Sequence, residues 1–473
     1  MGFLVAFTGS WIPSPWLDEA ATAHIISYPI SDMAQLWQQT DAVYAPYYVL
    51  MHFWVKLTGI TPLALRMPSL LAVGVGTAAM AAAGRTMGGH RAQLLYALCF
   101  ALLPRTAAMG IEARPYAISA MFMAIALLLV VKLRQGTSVF HFVLLGLAML
   151  GAVSAQFFSL LPLVGLMMVA AVILSTRRSR IALLTTATLA GIACLPLGIA
   201  AVPQQSQVSW LGEGAYSIAD QALVEAWFTS RWGLNPSDGV IPLHYIAVAL
   251  SVVAGLAVIV ALVVGRHLPK QRFALAVIPP AFAVAVLWGV SLVHAPVLLG
   301  RYLTSSTPFV AMLIAESLLL LRPYTKPLIA SLLVIGCSLL IVSQRQPYAK
   351  IPGHDYAFIA SALHAKAANG DGLLLEPGLG PVDSARNAID LYPVEFGRLV
   401  DIAQPERPPL SFVFSSDPPV PNLGAMGPLP ARIWLVAKSQ QDSQYASQLN
   451  KLGFKSTSMS SGPLHVVTLW SRP

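Results

Sequence analysis

Charged residues are scarce in this chain. Only 10% of its 473 residues are Asp, Glu, Lys or Arg, whereas 56% are hydrophobic. Several long stretches carry no charged residue at all: 67–84, 115–131, 135–176, 181–212, 240–265, 273–300 and 327–344. A membrane-spanning helix needs roughly 20 mostly apolar residues. These stretches are too many and too long to be the buried helices of a soluble protein. The sequence therefore predicts a polytopic α-helical membrane protein.

Cysteine is also scarce, and the basic residues are not distributed as in a nucleic-acid-binding protein. Cys99, Cys194 and Cys337 lie singly in apolar segments, which excludes a disulfide framework and indicates packing residues. The net charge is +9, but the basic excess lies in short loops between apolar stretches. Basic loops at this position orient a protein against anionic lipid, so we predict a bilayer partner and no nucleic acid.

The apolar stretches predict about 10–11 spanning helices, at 63–83, 92–110, 115–132, 138–153, 158–175, 181–202, 242–264, 273–293, 302–321 and 327–343. Basic residues gather in alternate loops: Arg85, Arg91, Lys132, Arg134, Arg177, Arg178, Arg180, Arg266, Lys270, Arg272, Arg322 and Lys326. The positive-inside rule makes these loops cytoplasmic. The alternation of the loops therefore places Asp18 and Glu19 on the outer face. Acidic residues before position 344, except Glu316, also fall in the outer loops; because acidic residues set topology weakly, we interpret this clustering as functional.

The composition changes after residue 343, where the charge density rises to that of a soluble domain. We predict a transmembrane domain over 1–343 and a small extracytoplasmic α/β domain over 344–473. The predicted elements of this tail are helices over 355–368 and near 440–452, and strands over 373–375, 410–414, 432–437 and 464–470. The tail has no catalytic motif, so we expect it to cover the outer loops or contact a partner.

The first outer loop, about 11–62, is long and rich in Trp and Tyr, which suit the membrane–water interface. An outward loop here requires a preceding helix, and Met1–Ser10, at about 1.5 Å per residue, is too short to cross. The first helix is therefore predicted to be truncated. Residues 31–39 have the pattern of an interfacial amphipathic helix.

Within this loop, Asp18 and Glu19 are adjacent carboxylates in an otherwise apolar chain. Such a pair is costly near lipid unless it faces water, a cation or a substrate. The alternative interpretation is a solvated loop end or the cap of a helix N-terminus.

Three arginines begin or end apolar segments on the same predicted face. Arg114 follows Glu112, with which it could simply pair, and Pro115 suits a first helical turn. Arg301 starts an apolar segment and could anchor it at the interface. Arg66 enters an early helix and could be structural. Taken together, guanidinium groups that bind phosphate bidentately and a carboxylate that accepts a proton suit the handling of a lipid-linked phosphate.

In these motifs the chain resembles the GT-C glycosyltransferases, membrane enzymes that use polyprenyl-phosphate sugars. They include protein O-mannosyltransferases and lipid A aminoarabinose transferases. The matching segments occur in the family's order at 16–20, 47–52, 66–69, 112–117 and 301–303. The stretch 41–48 looks closest to actinobacterial members. Two features depart from the family: the incomplete first helix, and Tyr44 where relatives often have His.

The resemblance implies roles for particular residues. Asp18 would be the catalytic base of an inverting transfer, and Glu19 would orient Asp18 or the acceptor, or join a divalent cation. The donor phosphate would be bound by Arg114 and Arg301, and less strongly by Arg66. The secondary candidates are Asp41, Glu112, His52 and Tyr302. The cofactor stays open, since the family contains both metal-dependent and metal-independent members.

The predicted function is transfer of a sugar, with mannose favoured, from a polyprenyl-phosphate donor to an extracytoplasmic lipoglycan, glycolipid or protein. Arabinose and aminoarabinose are the alternative sugars. The resemblance implies a bacterial plasma-membrane protein with its active site and tail outside the cytoplasm. A transporter or flippase of lipid-linked sugars is the rival from another class, although the chain has no evident repeat. An inactive scaffold is the third alternative.

Overall fold

The structure is a computed structural model that describes residues 1–204, 217–229, 241–264, 269–293, 297–350, 354–378, 384–410, 417–439 and 443–472. In chain order, its helices are α1 (Gly2–Phe7), α2 (Leu17–Ile26), α3 (Ile30–Trp37), α4 (Ala45–Thr58), α5 (Pro62–Leu102), α6 (Pro104–Gly110), α7 (Tyr116–Gln135), α8 (Val139–Ala155), α9 (Leu160–Ile173), α10 (Arg177–Ala201), α11 (Ile218–Asp220), α12 (Ile241–Val264), α13 (Lys270–Val293), α14 (Thr307–Leu320), α15 (Lys326–Ser343), α16 (Tyr356–Lys366), α17 (Pro393–Phe396) and α18 (Gln444–Lys451).

By its contacts, the chain divides into two compact units, each described separately below. The helical unit contains Met1–Ser10, Gln38–Tyr47 and Arg66–Gln346. The mixed unit contains Trp11–Trp37, Tyr48–Leu65 and Pro347–Pro473. Much of the predicted first outer loop therefore groups with the tail.

The helical unit confirms the predicted fold class of a multi-pass membrane protein. Among the described residues, seven helical segments are long and apolar enough to cross a membrane by length and composition: Pro62–Leu102, Tyr116–Gln135, Arg177–Gln204, Leu243–Val263, Lys270–Val293, Gly300–Leu320 and Lys326–Ser343. Two shorter apolar helices, Val139–Ala155 and Phe157–Ile173, accompany them. All the predicted spans fall on helices, but the predicted span 92–110 is divided between two helices, α5 and α6.

That difference lies at the predicted span 92–110. The structure joins the first two predicted spans into α5 with a kink at Gly89, where φ is +72°, a value that glycine adopts without strain. The helix then stops at Leu102, and Leu103 is extended before Pro104 starts α6. The residue before a proline is disfavoured in the helical region, so the sequence Leu103–Pro104 accounts for the break.

Close helix packing in the bundle depends on small residues. At Gly165 of α9, an added Cβ would lie only 2.7 Å from the Pro279 Cα of α13, so the two backbones are nearly in contact. Small residues permit such approaches between membrane helices.

Glu316, the acidic residue that lies outside the predicted outer loops, is buried in α14. Its Oε1 accepts a 2.5 Å hydrogen bond from the Tyr96 hydroxyl and lies 3.6 Å from Arg272. It is thus partnered inside the bundle.

The tail forms a five-stranded sheet in the mixed unit, with strand order β2-β1-β3-β5-β4. The strands are β1 (Gly372–Leu375), β2 (Val400–Asp401), β3 (Arg432–Ala437), β4 (Lys455–Ser461) and β5 (Val466–Ser471). β1 pairs in parallel with β2 and β3, whereas β5 pairs antiparallel with β3 and β4. The helix α18 packs its buried Tyr445, Ala446 and Leu449 into the same apolar cluster as Leu435 and Trp470.

The predicted α/β character of the tail is confirmed, and α16, β1, β3, α18 and β5 lie where the sequence predicted them. Most of the predicted strand 410–414 lies outside the described residues. Two strands were missed: β2 is only two residues long, and β4, Lys455–Ser461, is exposed and polar. Neither gives the apolar signal from which strands are recognised.

A buried carboxylate joins the start of α16 to β5. Asp355 is fully buried and accepts hydrogen bonds from the Leu464 and His465 backbone N–H groups and from His465 Nδ1, at 3.1, 2.9 and 2.6 Å. Burial acts to raise the pKa of Asp355, but the hydrogen bonds and charge of His465 outweigh it, and the pKa lies below its usual value.

This arrangement predicts how the mixed unit responds to acid. Because the folded-state pKa of Asp355 is depressed, its contribution to stability is present above the unfolded pKa of about 3.9 and is lost as the pH falls through the folded value. We expect Asp355→Asn to be less stable at neutral pH by about 1–3 kcal/mol and to lose less of its remaining stability below about pH 4. Thermal unfolding of the whole protein between pH 3 and 7 tests this; parallel curves for both proteins would contradict it.

Candidate active site

Asp18 lies in the first turn of α2 in the mixed unit. The segment after Trp16 favours a helix, because its acidic residues occupy the first turn and alanines follow. The side chain of Asp18 is half-buried, and its backbone carbonyl accepts a 3.0 Å hydrogen bond from the Thr22 hydroxyl. A rigid helical turn therefore fixes the position of this carboxylate.

The neighbouring Glu19 points inward. Its side chain is buried, and Oε2 accepts hydrogen bonds from the Trp16 backbone N–H at 3.3 Å and from Lys350 Nζ at 2.5 Å. Both members of the ion pair with Lys350 are almost completely buried, at 1% and 0% exposure. Glu19 thus caps the helix N-terminus that carries Asp18, which agrees with the capping alternative weighed from the sequence.

The other end of α2 is also fixed within the mixed unit. His52 is buried on α4, and its Nδ1 donates a 2.8 Å hydrogen bond to the carbonyl of Ile26, the last residue of α2. His24 Nδ1 donates to Asp390 Oδ2 at 2.7 Å, and Arg407 also donates to Asp390. The secondary candidate His52 therefore holds the helix that carries Asp18.

In the helical unit, two of the sequence motifs meet through Ser69. Its hydroxyl lies 2.8 Å from the Glu112 carbonyl and 3.2 Å from the Arg114 carbonyl. This hydrogen bonding joins the segment 66–69 to the segment 112–117. Arg114 is buried, and its guanidinium lies 4.4 Å from the centre of the Tyr44 ring. Tyr44, at the position where relatives often have His, thus provides a π face for a cation.

Arg301 lies in a 3₁₀ turn, Gly300–Ser306, that precedes α14. The amide of Gln156 holds this turn: its Nε2 donates to the Arg301 and Tyr302 carbonyls, and its Oε1 accepts from the Thr304 hydroxyl at 3.0 Å. The Tyr302 ring stacks on Phe158 with a centroid separation of 4.6 Å. The secondary candidate Tyr302 therefore packs beside Arg301 and fixes the turn.

Arg105 belongs to none of the sequence motifs, yet the structure places it near the candidate residues. It is buried on α6 and donates hydrogen bonds to the Glu225 and Ala226 carbonyls. Its charge interacts with Glu112 and Arg301. Arg105 therefore lies within electrostatic range of the Glu112 and Glu225 carboxylates and of Arg301.

For two further candidates, Arg66 and Asp41, the structure indicates local structural roles. Arg66 is fully buried, and its NH1 donates a 2.7 Å hydrogen bond to the Ser10 carbonyl, a contact that fits the structural alternative for this residue. Asp41 is half-buried and has a left-handed backbone, with φ of +56°. Asp tolerates this conformation better than most residues, and it starts the turn that presents Tyr44.

Sequence reasoning missed Lys350, Gln156 and Arg105 because each acts on residues that are distant along the chain. Lys350 lies 331 positions from Glu19, and Gln156 lies 145 positions from Arg301. Lys350 is fully buried, and Gln156 lies between two apolar helices. Of the three, only Gln156 has a local signal, as a polar residue between two apolar stretches.

No protein-family model and no curated protein matches the chain. Among solved structures, it is similar to ArnT from Cupriavidus metallidurans in the apo state, with 14% identity, a TM-score of 0.41, and coverage of 98% of this chain and 96% of that chain. It is similar to the same protein bound to undecaprenyl phosphate, with 14% identity, a TM-score of 0.40 and coverages of 99% and 96%. It is also similar to the archaeal oligosaccharyltransferase AglB from Archaeoglobus fulgidus, in complex with an inhibitory peptide and a dolichol-phosphate, with 12% identity, a TM-score of 0.43 and coverages of 77% and 58%.

Proposed function

We propose that this protein transfers a sugar from a polyprenyl-phosphate donor to a hydroxyl acceptor. One observation carries the proposal most: Ser69 ties the segment containing Arg66 to the segment containing Arg114. Two of the motifs that prompted the assignment are therefore in contact within the helical unit, as parts of one site would be. A lipid-linked phosphate suits arginines carried by a membrane protein, because a guanidinium keeps its charge and binds phosphate bidentately.

In the proposed reaction, the acceptor hydroxyl oxygen attacks the anomeric carbon of the donor. The bond from that carbon to the phosphate oxygen breaks, and polyprenyl phosphate leaves with the electron pair. Asp18 accepts the hydroxyl proton, so the new linkage has the inverted configuration. A leaving phosphate needs its charge stabilised more than it needs a proton, and positioned cations supply this. We assign that role to Arg114 and Arg301, and less strongly to Arg66.

The other residues have supporting roles in this proposal. Glu19 positions Asp18 through its buried ion pair with Lys350. His52 holds the far end of the helix that carries Asp18, and Tyr302 packs beside Arg301. Glu112 and Asp41 are the carboxylates available to orient an acceptor or balance the arginines.

For the donor, we propose mannose, with arabinose and aminoarabinose as the competing sugars. The acceptor is a lipoglycan, a glycolipid or a protein. We propose that the reaction occurs on the extracytoplasmic side of a bacterial plasma membrane, because basic residues gather in the alternate loops. Mass spectrometry of envelope glycans from a deletion strain tests the choice of sugar and acceptor: loss of a mannose-containing glycan supports this assignment.

The test of the proposed activity is transfer in proteoliposomes that contain the purified protein and polyprenyl-phosphate donors with radiolabelled mannose, arabinose or aminoarabinose. Extracted envelope glycolipids serve as acceptors. Transfer of label from one donor supports the enzyme. Movement of the labelled donor between leaflets without transfer would instead identify a transporter. If the folded protein shows neither transfer nor movement, a scaffold is favoured.

A variant of Arg301 tests the proposed phosphate site. We expect Arg301→Ala to weaken binding of polyprenyl phosphate by roughly 10- to 100-fold, since a charge-assisted hydrogen bond contributes about 1.5–3 kcal/mol. Arg301→Lys should recover only part of this loss, because it keeps the charge without the bidentate geometry. The measurement is equilibrium binding of polyprenyl phosphate to purified protein. Arg322→Ala is the matched control, since Arg322 lies exposed beside Tyr324. Equal affinities for wild type and Arg301→Ala would rule out this role.

A further inference from the structure

A cluster of one imidazole and two carboxylates lies in the helical unit, and one of its members, Glu225, also neighbours Arg105. His244, near the start of α12, has Nε2 at 3.3 Å from Asp220 Oδ1 and Nδ1 at 3.3 Å from Glu225 Oε1. One candidate ligand atom from each of the three residues lies within 4.8 Å of the others. Asp220 and Glu225 lie at the two ends of a π-helical turn, a local form that often occurs at functional sites.

The distances in this cluster differ from those of the other buried or half-buried histidine–carboxylate pairs. His24 Nδ1 lies 2.7 Å from Asp390 Oδ2, and His465 Nδ1 lies 2.6 Å from Asp355 Oδ1, as expected for charge-assisted hydrogen bonds. The 3.3 Å separations at His244 are longer. Only one ring nitrogen can bind a given cation, and its 3.3 Å separation from the facing carboxylate oxygen matches the edge of a coordination tetrahedron. With metal–nitrogen and metal–oxygen bonds of about 2.0–2.2 Å, neighbouring ligand atoms lie about 3.3 Å apart.

The charge of the cluster also favours a cation. The Glu225 side chain is only 3% exposed, and buried carboxylates are paired or coordinate metal ions. Arg105 interacts electrostatically with Glu225, but it directs N–H groups to the backbone carbonyls of Glu225 and Ala226. Two carboxylates beside one imidazole therefore offer the negative charge that a divalent cation requires.

We propose that Asp220, Glu225 and His244 bind one divalent transition-metal cation. Mixed imidazole and carboxylate ligands suit Zn²⁺ and its neighbours in the first transition row better than Ca²⁺ or Mg²⁺, which prefer oxygen. Water or further donor atoms would complete the coordination. The imidazole nitrogen that does not bind the metal donates to a carboxylate, an arrangement that fixes the ring in many metal sites.

The position of this cluster indicates what the cation does. The π-helical turn is packed against the turn that carries Arg301: Gln221 Oε1 accepts a 2.9 Å hydrogen bond from the Gly300 N–H, and a Cβ at Gly300 would lie 2.8 Å from the Ala226 nitrogen. Joining Asp220 and Glu225 to α12 through a metal therefore stiffens the support of Arg301. Only this consequence rests on the proposed function; metal binding does not.

The test is Zn²⁺ binding to the full-length purified protein after treatment with a chelator. Equilibrium dialysis with elemental analysis should give one tightly bound equivalent for wild type. We expect Asp220→Asn and His244→Gln to raise the dissociation constant for Zn²⁺ at least tenfold. His24→Gln is the matched control, because it removes a histidine paired with a carboxylate at hydrogen-bonding distance, and it should keep the wild-type stoichiometry and affinity.

Two results would overturn the metal site: wild type binding no more Zn²⁺ than His244→Gln, or His24→Gln losing as much affinity as His244→Gln. Either would indicate that His244 is an imidazolium held between two carboxylates. A second measurement needs no variant. Co²⁺ added to wild type should give visible absorption bands that one equivalent of Zn²⁺ removes, and their absence would contradict the site even if His244→Gln fails to fold.

These outcomes are separate from those of the proposed transferase activity. A protein that binds one Zn²⁺ through His244 but transfers no sugar would retain the metal site and lose the proposed function. A protein that transfers sugar and binds no metal would do the reverse. If both hold, removing the metal should raise the KM for the donor more than it lowers kcat, because the metal acts on the support of Arg301.

Discussion

Replacing Asp18 with Asn is expected to abolish sugar transfer while leaving the protein folded. The two side chains have the same shape, but the amide cannot accept the proton of the attacking hydroxyl. Loss of a general base typically lowers the rate by about 10²- to 10⁴-fold. The fold should be insensitive to the change, because the side chain is half-buried and the neighbouring Glu19 forms the cap of α2. The measurement is the initial rate of transfer in proteoliposomes, with thermal unfolding measured on the same preparation.

Asp32→Asn is the matched control for this experiment. Asp32 is also a half-buried aspartate in the first turn of a helix, α3, in the same unit. Its replacement removes the same charge without touching the proposed base, so we expect a rate close to wild type. Wild-type turnover by a correctly folded Asp18→Asn protein would refute the assigned mechanism.

Replacing Lys350 with Met is expected to have the largest effect on stability. Lys350 and Glu19 are almost completely buried and lie 2.5 Å apart. Removing one partner leaves the other charge buried and unpaired, which typically costs about 3–5 kcal/mol. The change should also disturb the cap of α2, because Glu19 Oε2 accepts from the Trp16 N–H as well. We expect a large drop in unfolding temperature and an even larger loss of transfer.

The double variant Glu19→Gln with Lys350→Met separates positioning from catalysis. It removes both charges, and a glutamine oxygen can still accept from the Trp16 N–H. We expect it to recover most of the stability lost by Lys350→Met, since replacing both members of a buried ion pair is often close to neutral. If Glu19 only positions Asp18, the double variant should also recover transfer. Recovered stability without transfer would show instead that the charge of Glu19 takes part in the reaction.

The sequence predicted elements best where one local signal was strong. Long uncharged stretches predicted the bundle helices, whereas the break at Leu103–Pro104 was missed, because the span 92–110 was predicted as continuous. In the tail, apolar β3 was predicted, whereas polar β4 was missed because its side chains are mostly exposed. The predicted amphipathic helix over 31–39 corresponds to α3.

The sequence was enough to select the candidate carboxylates and arginines, but not the residues that they contact. Adjacent carboxylates and terminal arginines are visible in a sequence because they are unusual in an apolar chain. The inward direction of Glu19 depends on Lys350, and the setting of Arg301 depends on Gln156 and Gly300. Those contacts are made by packing between distant segments. A single sequence contains no local signal for them.

The most direct test of the central claim is a comparison of product formation by wild type and Asp18→Asn with a sugar-labelled polyprenyl-phosphate donor. For wild type, we predict that each labelled sugar reaching the acceptor is matched by one released polyprenyl phosphate, with inversion at the anomeric carbon. For folded Asp18→Asn that still binds the donor, we predict neither product. Label that crosses the bilayer without joining an acceptor, or equal transfer by the two proteins, would contradict the account.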